Sequence, residues 1–150
     1  MDSTVSLYLK YLKASLWPGS ENLPEPSAAV MRIAREQATV PLVSRRKEDE
    51  LLSALAHQKL NEVLSKVVSA LRERGMDSVL LKGQGLAGCY PKPEMRQCGD
   101  IDLYVGEENY EKAKEIVDAM AGKKGEESKK HYHTDVDGVP VLFRRSFRQF

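Results

Sequence analysis

The chain has 150 residues, the size of one ordinary domain and enough to bury a hydrophobic core. Apolar residues make up 41% of it and charged residues 30%, a composition typical of a globular protein in water. With a formal net charge of +1, the chain lacks the strongly positive overall charge that would indicate a protein that coats nucleic acid or binds an acidic membrane.

Residues 1–45 indicate a broken helical region, which we interpret as an N-terminal extension of a core over residues 46–150. Leucines recur in the opening stretch, but Lys10 and Lys13 interrupt it, so it is too short and too charged to span a membrane. No small-residue cleavage site follows an apolar run. We therefore expect a cytoplasmic protein without a membrane partner.

A long amphipathic helix is predicted from about Lys47 to Arg74, because apolar residues recur there at spacings of three and four. Gly75 is a natural left-handed stop for this helix. The apolar positions share one face, which we expect to lie on a sheet. They are Leu52, Leu55, Leu60, Val63, Leu64, Val67, Val68 and Leu71.

Strands and helices then alternate along the chain. Val79–Leu81 is a short apolar run that predicts a buried strand, and Asp100–Val105 predicts a second strand because apolar and polar residues alternate. Glu107–Ala121 predicts a helix with an acidic first turn.

A polar stretch, Lys123–Lys130, predicts a loop before the last pair of strands. Residues 131–136 and 139–143 flank Asp137-Gly138, a dipeptide favoured in two-residue hairpin turns. The whole order predicts an α/β (α+β) fold, a small mixed sheet covered by helices.

Asp100 and Asp102 are the residues that indicate chemistry. Two residues one position apart on a strand project to the same side, so their carboxylates can approach a shared point. The two negatively charged carboxylates repel each other, and a hard divalent cation between them removes that repulsion. Mg²⁺ is therefore the expected ion, with Mn²⁺ as a substitute. The ion would bridge to the phosphates of a nucleoside triphosphate such as ATP.

The segment before this strand adds candidate phosphate contacts. Gly83 and Gly85 let the backbone turn tightly and bring N–H groups against phosphate oxygens. Lys82 would contribute a point charge and Arg96 a planar pair of donors. Each residue also has an ordinary structural explanation, and it is their combination that favours a nucleotide site.

The stretch Leu80–Val105 resembles the uncharacterised bacterial nucleotidyltransferase family of the polymerase-beta-like superfamily. It reads L-L-K-G-Q-G-L-A-G-C-Y-P-K-P-E-M-R-Q-C-G-D-I-D-L-Y-V. The shared features are a Leu-Lys-Gly turn, a Tyr-Pro element, an Arg and an Asp-Ile-Asp-Leu strand. The resemblance implies a nucleotidyltransferase fold and metal-dependent transfer of a nucleoside monophosphate from a nucleoside triphosphate.

By the same resemblance, Asp100 and Asp102 are the metal-ligating and catalytic carboxylates, and Lys82 and Gly83 form the turn beside the phosphates. The acceptor stays open, since a protein side chain, an RNA end or a small molecule would each serve.

A third carboxylate is expected from the resemblance but is missing from its place. The family pattern implies a Glu on the strand after the hairpin, followed closely by His, and here Leu142 or a neighbour occupies that position. The chain also ends earlier than the family pattern implies, so we expect a truncated or frame-disrupted C-terminus. A catalytically inactive protein that binds nucleotide or a partner is therefore the alternative to an enzyme.

Asp135 is a candidate for the missing carboxylate, if its strand places it on the side of Asp100 and Asp102. It also belongs to an alternating row with His131, His133 and Asp137. That row is either a set of ligands for a transition metal, as in a metal hydrolase, or the solvent-facing side of a hairpin.

Overall fold

The computed structural model of the protein describes residues 3–17, 19, 22–129 and 131–146. Contacts within the chain divide it into two units, of which the first comprises Met1–Gln58 and Leu86–Cys98 and the second Lys59–Gly85 and Gly99–Phe150. The boundary between an extension and a core at residues 45 and 46 concerns domains, and it stays a prediction.

The helices are α1 (Ser3–Leu16), α2 (Ala28–Glu36), α3 (Val40–Val43), α4 (Lys47–Glu73), α5 (Gln84–Ala87) and α6 (Tyr110–Ala121), with a 3-10 helix at Pro93–Met95. The strands are β1 (Val79–Leu80), β2 (Ile101–Tyr104), β3 (Glu126–Glu127), β4 (His131–Val136) and β5 (Val139–Arg144). Mixed α/β architecture with a small sheet is thus confirmed. Within the described part of the chain, no helix is both long and apolar enough to cross a bilayer.

The first unit has its own hydrophobic core, which α1, α2 and α3 build together. Tyr8 and Tyr11 of α1 are buried, and each hydroxyl is satisfied: Tyr11 donates to the carbonyl of Pro24 at 2.7 Å, and Tyr8 lies 2.9 Å from the Thr39 hydroxyl. A buried phenol needs such a partner, so these bonds allow α1 to bury aromatic residues. The buried cluster contains Tyr8, Tyr11, Val30, Ala34 and Val43.

The apolar face predicted for α4 is only half correct. Leu60, Val63, Val67 and Leu71 are buried as expected, whereas Leu52 and Leu55 are 64% and 54% exposed. Helical periodicity shows that residues share a face, but it cannot show how far along the helix a packing partner extends.

The second unit contains one five-stranded sheet in the order β1-β2-β5-β4-β3. β2 and β5 pair in parallel, while the β1–β2, β4–β5 and β3–β4 pairs are antiparallel. Two predictions need correction. β1 is an edge strand whose Val79 is 50% exposed rather than buried, and β3 lies inside the predicted loop. Lys130, the last residue of that loop, lies outside the described residues.

The β4–β5 hairpin is confirmed, with Asp137 and Gly138 as its two turn residues. Both residues have positive φ, 51° and 80°, which is what a type I′ turn requires. Lys66 of α4 forms an ion pair with the Asp137 carboxylate at 2.6 Å.

Alternation along the strands separates the sheet into two faces. One face is apolar and carries Leu103, Phe143 and Tyr132 in register, and α6 packs on β4 and β5 through Tyr110, Ala113 and Val117. On the other face Asp102, Leu142 and His133 stand in register on β2, β5 and β4. The chemistry-bearing residues therefore lie on the face that carries the polar side chains.

Tyr132 ties α6 to the sheet through its hydroxyl. The ring is 2% exposed, and the hydroxyl donates to the Asp118 carboxylate, 2.6 and 2.7 Å from its two oxygens. The same hydroxyl accepts from the Gly125 N–H at 2.6 Å. Burial, followed by the bond to Asp118, raises the pKa of Tyr132 to about 12.

We expect Tyr132→Phe to lower the free energy of unfolding by about 1–2 kcal/mol, because Asp118 and Gly125 both lose a partner. Because the pKa of Tyr132 is raised in the folded state, its contribution to stability is fully present below the unfolded pKa of about 10. The contribution is lost as pH rises toward about 12. Urea denaturation at pH 7 measures the loss. The half-buried Tyr90 supplies the control Tyr90→Phe, and equal losses in the two variants would contradict a special role for Tyr132.

Candidate functional site

The carboxylates of Asp100 and Asp102 approach one shared position, as their spacing predicts. The ammonium Nζ of Lys82 lies 3.2 Å from Oδ2 of Asp102 and 3.8 Å from Oδ2 of Asp100. Both carboxylates therefore contact a single cationic group. Asp102 is buried at 3% exposure, while the Asp100 side chain is 37% exposed and accessible from solvent.

Lys82 reaches the carboxylates because of an unusual turn after β1. The N–H of Leu81 donates to the carbonyl of Asp102 at 2.8 Å, which aligns the end of β1 with β2. Lys82 and Gly83 then both adopt left-handed conformations, with φ of 51° and 56°. That conformation costs a residue with a side chain about 1–2 kcal/mol and costs glycine little, so Gly83 suits the turn and Lys82 is held in it at a cost.

Arg144, on β5, is a site residue that the sequence analysis did not identify. Its guanidinium donates hydrogen bonds to the Asp102 carboxylate. Nε lies 2.9 and 3.1 Å from the two oxygens, and Nη2 lies 2.7 Å from Oδ2. This is the two-pronged geometry that makes arginine–carboxylate pairs strong. Asp102 correspondingly raises the pKa of Arg144 through the hydrogen bond. Arg144 lies two positions after Leu142 of a predicted strand, so strand alternation places both side chains on the same face. That spacing was the signal in the sequence that could have identified Arg144.

Leu142 lies beside Asp102 on the neighbouring parallel strand. The two residues are partners in the register of β2 and β5, so their side chains leave the same face about one strand spacing apart, roughly 4.8 Å. An acidic side chain at position 142 would thus be close to the aspartate pair. The leucine there provides no ligand for a cation.

Asp135 lies on the same face of the sheet as Asp102, two strands away from it. β4 is separated from β2 by β5, so by strand spacing its Cα is about 10 Å or more from β2. Its carboxylate is ion-paired with Lys123 at 3.3 Å. A role for Asp135 as a further metal ligand stays a prediction.

The histidine row does not gather into a metal centre. His133 Nε2 lies 4.0 Å from the Asp135 carboxylate, and burial, followed by the nearby Arg144 charge, lowers the pKa of His131. Among residues 3–17, 19, 22–129 and 131–146, no three His, Cys, Asp or Glu side chains are grouped to hold an ion. The prediction of a transition-metal row is therefore not supported.

The remaining predicted phosphate contacts differ in their placement. Gly85 has an ordinary backbone conformation, and an added Cβ would meet Leu80 at 3.6 Å, a normal contact, so its position does not require glycine. Arg96 ends the 3-10 helix Pro93–Met95 and belongs to the first unit. Phosphate binding by Gly85 and Arg96 stays a prediction.

The site is a balanced cluster of two anions and two cations, Asp100 and Asp102 with Lys82 and Arg144. Burying Asp102 would be costly without them, and the guanidinium and the ammonium together satisfy its oxygens. Lys82 is 46% exposed, so it can leave the carboxylates more readily than the 16%-exposed Arg144. The arrangement can accept a cation between the carboxylates and can offer Lys82 to an anion.

Comparisons with known proteins give a match to a family model and a partial likeness to a solved structure. The model of a family described as uncharacterised nucleotidyltransferases matches residues 27–142. A Thermotoga maritima crystal structure, provisionally assigned as a nucleotidyltransferase, aligns at 19% identity and a TM-score of 0.45 over 58% of this chain and 56% of its own length. This chain therefore spans little more than half of that protein. No curated protein sequence matches the chain.

The Arg144–Asp102 pair should dominate the stability of this site. We expect Arg144→Gln to lower the free energy of unfolding by about 1–3 kcal/mol, because the buried Asp102 carboxylate loses its guanidinium partner and keeps the more exposed Lys82. Arg145→Gln is the matched control, since Arg145 is 57% exposed and its ion pairs with Glu111 and Glu127 lie at the surface. That change should cost no more than about 0.5–1 kcal/mol. Equal losses in chemical denaturation would contradict the buried pair.

Proposed function

The chain belongs to the uncharacterised nucleotidyltransferase family, and on that premise we propose that it transfers a nucleoside monophosphate from a nucleoside triphosphate to an acceptor with the help of Mg²⁺. One observation carries the proposal: the carboxylates of Asp100 and Asp102 approach a single cationic group, the ammonium of Lys82. Two carboxylates that already share one cation are suited to share another of higher charge.

The residues present fit a divalent hard cation in their donor chemistry. Asp100 and Asp102 supply oxygen ligands, and Mg²⁺ is commonly bound by one or two carboxylates together with phosphate oxygens and water. Once bound, such an ion offsets negative charge on a triphosphate and helps to orient the reacting phosphorus. Mn²⁺ has the same preference for oxygen and would replace it.

The surrounding side chains would have separate tasks. Lys82 is exposed and contacts both carboxylates, so on arrival of a metal it would turn from them to the triphosphate as a point charge. Arg144 would keep the buried Asp102 carboxylate oriented through its fork of hydrogen bonds. Asp100, the more exposed of the pair, would be the carboxylate that admits ligand and solvent.

The acceptor of the proposed transfer needs a nucleophilic group. A protein side chain, an RNA end or a small molecule would each present the nucleophile that the transfer needs. Among the described residues of the site, the Lys82 ammonium is suited to the phosphates that every nucleoside triphosphate carries.

Asp100→Asn should weaken Mg²⁺-dependent binding of ATP at least about tenfold, because one of two ligating carboxylates becomes neutral. Its partial exposure should let the fold survive, unlike a change at the buried Asp102. Titration calorimetry with and without Mg²⁺ measures the effect. The double change Asp100→Asn with Asp102→Asn should abolish the Mg²⁺-dependent part of binding.

Asp77→Asn is the matched control, because it removes the same charge from an exposed position of the same unit, ahead of β1 and outside the site. We expect it to leave the affinity within about twofold. Binding that is unchanged by Asp100→Asn, or reduced equally by both substitutions, would remove the aspartate pair from the proposal.

A second candidate function, a nucleotide-binding module without transfer activity, is favoured by what surrounds Asp102. Leu142 stands in register with it where a further carboxylate would lie, and Arg144 occupies its oxygens. A divalent ion would have to compete with a guanidinium already held in the two-pronged geometry. Incubation with labelled nucleoside triphosphates, Mg²⁺ and cell extract separates the candidates, since a labelled acceptor excludes the inactive one.

Leu142→Glu offers a test from the opposite direction. A glutamate beside Asp102 would add a third carboxylate to the cluster, so Mg²⁺ should bind about tenfold more tightly in calorimetry. Leu142→Gln is the uncharged control of nearly equal shape and should not tighten binding. If neither substitution changes Mg²⁺ affinity, the register position of residue 142 has no bearing on metal binding.

A further inference from the structure

Three leucines in the first half of α4 stand exposed to solvent. Leu51, Leu52 and Leu55 are 60%, 64% and 54% exposed. Single exposed leucines are common on protein surfaces, but three large apolar side chains within five positions form a patch of the kind that marks an interaction surface.

Charged residues bracket this patch in a specific order. Glu48 lies one helical turn before Leu52, and Lys59 lies one turn after Leu55, and both are exposed. The four residues follow one another at spacings of four, three and four, which is the seam of a coiled coil. Since all four lie on one continuous helix, helical geometry alone fixes their common face.

We propose that this seam, Glu48, Leu52, Leu55 and Lys59, pairs in antiparallel fashion with the same seam of a second copy of the chain. A twofold axis midway between Leu52 and Leu55 places Leu52 of one copy opposite Leu55 of the other. The same operation places each Glu48 opposite a Lys59. The seam is therefore complementary to itself in apolar contact and in charge.

The charge order selects this arrangement over others. In a parallel pair Glu48 would face Glu48 and Lys59 would face Lys59, so like charges would repel at both ends. The ion pair of Glu48 with Arg46, at 3.6 Å, joins two exposed side chains and offers little resistance to a new partner. The opposite charges at the two ends of the seam are complementary to a second copy that runs in the reverse direction.

The expected dimer is weak and reversible. Eleven helical steps separate Glu48 from Lys59, so the seam is about 17 Å long, which is short beside the interfaces of obligate dimers. We expect a dissociation constant on the order of 10–100 µM. Sedimentation equilibrium of the full chain across that range should show a monomer–dimer equilibrium, and a monomer throughout overturns the proposal.

The apolar contact is tested by Leu52→Glu, which should weaken the dimer at least about tenfold. Leu9→Glu is the matched control, because Leu9 of α1 is also exposed, at 45%, but lies off the seam. Circular dichroism verifies that both variants fold. A dimer that survives Leu52→Glu, or that Leu9→Glu weakens equally, overturns the assignment to α4.

The charge order is tested by reversing each end separately. Glu48→Lys and Lys59→Glu should each weaken self-association about tenfold, since each sets like charges opposite one another. An equimolar mixture of the two variants restores both pairs and should associate as tightly as the natural chain. The chain carrying both substitutions should do the same. Failure of the double variant to recover excludes the antiparallel register.

Discussion

The site depends on how a buried carboxylate is kept neutralised. Asp102 is almost fully enclosed, and a charge in that position is tolerable only with partners that satisfy its oxygens. Arg144 supplies a rigid fork from the neighbouring strand, and Lys82 supplies an exposed ammonium from the turn after β1. The turn after β1 and the parallel pairing of β2 with β5 are therefore both needed to bring these charged side chains together.

Lys82 and Arg144 differ in how readily each could release the Asp102 carboxylate. Lys82 bridges both carboxylates from a solvent-facing position, while Arg144 is largely buried and fixed by three hydrogen bonds. A flexible ammonium gives way to a stronger cation more easily than a bidentate guanidinium does. Under the proposed function, the choice between a nucleotidyl-transferring enzyme and a binding module therefore depends on whether Arg144 would release Asp102 to a bound metal.

Local patterns predicted the parts of this protein that depend on neighbouring residues. The Asp137-Gly138 turn, the shared side of Asp100 and Asp102 and the order of the longer helices and strands follow from backbone preferences and strand alternation. The parallel pairing of β2 with β5 does not, because it joins segments about forty residues apart. For that reason the contact of Arg144 with Asp102 became visible only in the structure, and the position of Leu142 near the site had been implied by the family resemblance alone. The exposure of Leu52 and Leu55 was hidden in the same way, since it depends on where the partners of α4 end.

The parallel pairing also has a consequence for biosynthesis. Asp102 and Arg144 are 42 residues apart in sequence, and the carboxylate leaves the ribosome well before the guanidinium that will cover it. Of the two described strands that pair with β2, β1 is two residues long and precedes it in the chain, while β5 follows it. The sheet cannot be completed, and the Asp102 carboxylate cannot pair with Arg144, until β5 has been synthesised.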